Sequence, residues 1–129
     1  MTNPNIPRLV SYRDYIELEI CLRIYELCND RQFGHLGKLD FANFLNLRDT
    51  ADTVYIKSKE KLRVCYLVWQ LSKTLPDNHV RESWRESLLG VLGISQSYYK
   101  SHYSDIGGAG QTEVNYEFAQ RVKDIIPQP

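Results

Sequence analysis

The sequence predicts an all-α domain of five or six helices, with a helix-turn-helix-like arrangement in its C-terminal half. Three observations carry this expectation. Apolar residues recur at spacings of three and four through several long stretches, which is the helical period. Capping residues and helix stops fall at the ends of those stretches. No run of period two is long enough to propose a strand. The loops around residues 36–39 and 104–112 still leave room for a small sheet, and a hairpin in the second would make the fold winged-helix-like.

Residues 1–10, with Pro4 and Pro7, read as an extended arm ahead of one domain, 11–129. Ser11 followed by Asp14 resembles a capping box, so a first helix is expected over 12–28. Its two apolar rows, Ile16, Ile20, Ile24 and Leu27 beside Leu18, Cys21, Leu22, Tyr25 and Cys28, predict burial on two sides. Gly34 and Gly37 mark a loop, and Asp40 suits the cap of a short helix through Phe41, Phe44, Leu45 and Leu47. The strongest element spans 58–75, apolar nearly all round its middle, with Trp69 expected in the core and Pro76 ending it.

Asp77 suits the cap of a helix in which Val80, Trp84, Leu88 and Leu92 recur every four residues, and Arg81, Glu82, Arg85 and Glu86 read as a salt-bridged outer face. Gly93 suits its end. Ser95 suits the cap of a short helix from Gln96 onward, and after a Gly107–Gly110 loop Thr112 suits that of a last helix with core face Val114, Phe118, Val122 and Ile125.

At 129 residues, 43% hydrophobic and 25% charged, the chain has the size and composition of one ordinary globular domain. Sixteen basic residues balance sixteen acidic ones, so no global field draws it to nucleic acid or to an anionic membrane. Any such attraction is local, and the basic residues of 53–76 (Lys57, Lys59, Lys61, Arg63 and Lys73, against Glu60) are its main source. Three cysteines, Cys21, Cys28 and Cys65, lie in apolar stretches without CxxC spacing, which predicts buried thiols and a cytoplasmic setting. Neither a signal-peptide pattern nor a membrane-length apolar run occurs.

The most informative segment is 86–103. A helix ending in Leu92-Gly93-Ile94-Ser95 and followed at once by another has the layout of a helix-turn-helix, with Gly93 for the turn and Ile94 pinning the pair. Gln96, Ser97, Lys100 and Ser101 would then face a DNA groove, and Lys57, Lys59, Lys61 and Arg63 would supply phosphate contacts from the first turns of the central helix. Against this, Leu89 stands where the motif wants a very small residue, and the plain alternative is an αα-hairpin with Tyr98, Tyr99 and Tyr103 in the core. Other chemistries find less support. The Gly107–Gly110 loop lacks the Lys-Ser/Thr of a phosphate-binding loop. Ser101, His102, Ser104 and Asp105 lie too close along one short helix to surround a substrate, and the three histidines are scattered. No catalytic residue, metal, cofactor or small-molecule substrate is therefore expected.

Residues 56–71 (IKSKEKLRVCYLVWQL), 98–106 (YYKSHYSDI) and 112–126, in that order, resemble the C-terminal domain of the RteC-type regulators of Bacteroides mobile elements. There a Ser-Lys-led apolar helix precedes a Tyr-Tyr helix and a polar last helix. The resemblance covers 55–126, and it implies a winged-helix-like DNA-binding regulator. This chain departs from the pattern where Gly107–Gly110 replaces a strongly basic stretch. The expectation is a small DNA-associated regulatory or accessory protein, with a protein-interaction module lacking nucleic-acid binding as the alternative.

Overall fold

The computed structural model describes residues 14–127. The arm at 1–10 and the Ser11 cap lie outside them. Among the described residues six α-helices follow in order: α1 Leu18–Cys28, α2 Lys38–Leu45, α3 Lys61–Ser72, α4 Asn78–Leu92, α5 Gln96–His102 and α6 Glu113–Ile125, with a 3₁₀ turn at Asp105–Gly107 between the last two. Among the described residues there is no strand; two isolated bridges link Asn29 to Phe33 and Phe33 to Ile56. No hairpin wing forms over 104–112, because its first half coils into the 3₁₀ turn.

Helix α1 starts six residues later than its apolar pattern predicts. The backbone N–H of Ile16 donates to Asn46 Oδ1 at 2.8 Å, and the Ile16 carbonyl accepts from Asn46 Nδ2 at 3.2 Å, so this residue is tied to the end of α2. The row Ile16, Ile20, Ile24 and Leu27 is buried with Cys21 and Cys28, while Leu18 is 53% exposed and Leu22 and Tyr25 are only partly covered. Only α2 and α6 pack extensively on α1, which leaves part of the second row at the surface. Gly37, not Asp40, caps α2. Asp40 instead accepts from the backbone N–H groups of Ala51 and Asp52 at 3.0 and 3.1 Å and anchors the following loop.

Helix α3 is the centre of the packing, touching α4, α5, α6 and the 3₁₀ turn. Val64 to Val68 and Leu71 are buried, as an all-round apolar helix should be. The helix is shorter than predicted at both ends. Ser72 Oγ and Thr74 Oγ1 donate to the carbonyls of Trp69 and Leu71, closing it before Pro76. At its start, Gly34 N–H donates to Tyr55 O and Lys57 N–H to Gln32 O, holding residues 55–57 extended against the 32–34 loop. Trp69, expected in the core, is only half-buried. The fully buried tryptophan is Trp84 of α4, whose indole N–H donates to the Leu45 carbonyl at 2.8 Å.

The local signals of the C-terminal half form as predicted. Asp77 accepts from Val80 N, Ser95 from Tyr98 N and Thr112 from Asn115 N, and Gly93 takes the left-handed conformation (φ 72°) that ends α4. The inner face of α6 is turned from the predicted one. Phe118 and Val122 are buried as expected, but Asn115, Ala119 and Ile126 join them while Val114 is 61% exposed. Asn115 tolerates burial because its Nδ2 donates to Gln111 Oε1 at 2.9 Å.

Candidate functional site

The α4–α5 hairpin presents the candidate face. Left-handed Gly93 turns the chain, buried Ile94 fixes the corner, and Ser95 starts α5 at once. Successive α5 residues advance about 100° around the helix axis, so Gln96, Ser97, Lys100 and Ser101 share a side. That side points outward, with Ser97, Lys100 and Ser101 exposed and Gln96 half-buried. The opposite side seats Tyr99 in the core and stacks it on Tyr103, with ring centroids 5.3 Å apart. Burial pushes the Tyr99 phenol far above its ordinary range, with the Arg85 guanidinium 5.2 Å over the ring pulling the other way. Arg81 donates to the Leu75 carbonyl and to Asn78, so both arginines turn to the fold, not to Glu82 and Glu86 as a salt-bridged face requires.

The basic cluster does not form one face. Lys61 Nζ lies 4.4 Å over the Tyr98 ring and so borders α5. Arg63 turns away, pairs with Glu60 at 2.9 Å with both side chains largely covered, and lines a cleft with Leu27 of α1 and Phe118 of α6. Lys57 and Lys59 precede α3 instead of lying on its first turns. Lys57 Nζ donates to the Asp30 carbonyl at 2.8 Å, and Lys59 sits exposed in a left-handed conformation (φ 70°). The pairing of residues 55–57 with the 32–34 loop is what keeps this stretch out of the helix.

His102 Nδ1 lies 2.8 Å from Asp105 Oδ2, and its ring is 4.5 Å from that of Tyr98. This pair bridges the end of α5 to the 3₁₀ turn. Among the described residues, no group of three or more His, Cys, Asp or Glu is placed to hold a metal ion, and no helix is long and apolar enough to cross a membrane. The three cysteines are unpaired and buried, and burial pushes the Cys21 and Cys65 thiols up to about 11.

No family model, curated protein or solved structure matches the chain. The Lys61–Tyr98 contact that brings α3 to the flank of α5 joins residues far apart in the sequence, and no local pattern announces it.

Proposed function

We propose that this chain is a small, non-catalytic, DNA-associated regulatory or accessory protein that contacts duplex DNA through the outward face of α5. The observation that carries the reading is the α4–Gly93–Ile94–Ser95–α5 corner, which presents Gln96, Ser97, Lys100 and Ser101 on one solvent-facing side. Amide and hydroxyl groups suit base edges, and Lys100 with Lys61 on the flank suits phosphate. The resemblance of residues 55–126 to RteC-type regulators points the same way. With Arg63 paired and Lys57 held against Asp30, the cations near this face number only about two or three, so binding is weak and its log-log salt slope is about −2 to −3.

A protein partner is the second reading, favoured by that scatter of cations and by a groove of about 350 Å³ whose walls include Phe44, Leu47, Val54 and the 57% exposed Val91, with Arg48 and Asp49 at its rim. Fluorescence anisotropy with generic duplex DNA across a salt series separates the two. Lys100→Gln should flatten the slope by about 1, whereas Gln96→Ala should change only the preference among sequences. Absence of binding at about 50 mM salt, where phosphate contacts are strong, would leave the protein-interaction reading.

A further inference from the structure

The groove of about 350 Å³ between the end of α2, the loop after it and α4 is shaped by local backbone constraints. Just past α2, Leu47 takes the left-handed conformation (φ 62°) where glycine is usual, and its side chain forms part of the lining. Asp40 holds the loop through the backbone N–H groups of Ala51 and Asp52. Phe44, Val54 and the 57% exposed Val91 complete the apolar walls. An exposed apolar surface maintained at the expense of backbone strain is the mark of a contact site.

The described chain begins beside this groove. Asp14, its first residue, pairs with Arg48 on the rim. The thirteen residues before it, MTNPNIPRLVSYR, hold Ile6, Leu9 and Val10, and their charged side chains, Arg8 and Arg13, are both basic. Asp49, exposed at the same rim, has no ion-pair partner among the described residues. Four extended residues span about 13 to 14 Å, so Val10 comes within reach of the groove from Asp14. The other cleft at Asp14 suits an apolar segment less well. Asp14 and Glu17 line it, and its aliphatic residue Ile20 is 8% exposed.

We propose that residues 6–10, Ile-Pro-Arg-Leu-Val, dock in this groove of their own molecule, with the aliphatic side chains against Leu47, Val54 and Val91 and Arg8 beside Asp49. The tether favours this occupant over a second copy. A segment joined through residues 11–13 is present at an effective concentration of about millimolar, well above that of a separate molecule in dilute solution. A protein partner for the same groove has to displace the segment first. The docking is independent of any DNA contact made by α5.

The test is paramagnetic relaxation in the whole chain. The native thiols are buried, so a nitroxide reagent labels Asn5→Cys selectively. The amides of Thr50, Val54 and Val91 should lose most of their intensity. Tethering alone brings the label near Arg48, so the deciding reading comes from variants. Val91→Lys and Asp49→Lys, both at exposed positions, and Val10→Asp within the segment should each restore much of that intensity while distant resonances stay in place. Intensities unchanged by Val91→Lys and Val10→Asp would overturn the proposal. So would broadening centred on Glu17 and Thr74, which would place the segment in the other cleft. Equal broadening with nitroxide and isotope on different copies would assign the groove to a second molecule instead.

Discussion

The two tryptophans occupy opposite settings although both lie on helices with the same apolar period. Trp84 is fully buried where α4 meets the end of α2, its indole N–H on the Leu45 carbonyl. Trp69 stands half-covered at the cleft beside α6, edge-on to Tyr66 and Tyr103, with the Lys73 ammonium 4.2 Å over its ring. Periodicity reports the direction in which a side chain leaves its helix. How deep it goes depends on what the rest of the chain places there, and at Trp84 that is α2, while at Trp69 it is a short turn and an open cleft.

The sharpest break of this contrast is removal of the buried ring. Trp84→Ala should cost about 3 to 5 kcal/mol, a large share of the about 5 to 15 kcal/mol that a domain holds, and it also strips the Leu45 carbonyl of its donor. Urea denaturation reads the loss directly. A cost below about 1 kcal/mol, the range of ordinary surface substitutions, would show that α4 is not seated on α2 in this way.

The buried thiols give a second, pH-linked handle on the interior. Cys21 and Cys65 ionise near 9.0 when unfolded and near 11 when folded, because burial disfavours the thiolate. The folded state then holds more protons between those values. Its stability is fully present below pH 9.0 and falls as pH rises to about 11, by about 2 to 3 kcal/mol per thiol. Urea midpoints followed over that window should drop, and less so in Cys65→Ala. A flat profile would mean that these thiols already meet solvent.

The smallest effect belongs to the outer tryptophan. Trp69→Ala should cost only about 1 to 2 kcal/mol, since part of its surface is already in water. A loss as large as that of Trp84→Ala in the same urea series would erase the distinction.

What the sequence made legible follows the same division between local and distant causes. Asp77, Gly93, Ser95 and Thr112 announce helix ends because a cap is made within three or four residues, and all four act as expected. The all-α class and the central place of α3 follow from its apolar circumference. The start of α1 was hidden because Asn46, thirty residues on, holds Ile16. The basic cluster is spread out for a similar reason: a hydrogen-bonded link from residues 55–57 to the 32–34 loop replaces the helical turn that the local pattern assigns to Lys57 and Lys59. On α6, the capped Asn115 turns inward, and the face moves with it. The cleft beside Trp69 has no local signature in the sequence, because Lys73 and Lys123 line it together only through the packing of α3 on α6.

The division between a sealed interior at Trp84 and an open, cationic cleft at Trp69 is tested most directly by iodide quenching of tryptophan emission in the parent chain and in Trp69→Phe. The parent should be quenched, and by iodide more than by caesium because Lys73 and Lys123 draw the anion to the cleft. Trp69→Phe, which leaves Trp84 alone, should be nearly insensitive to both ions. Quenching of Trp69→Phe as strong as that of the parent would place Trp84 in solvent and contradict the account.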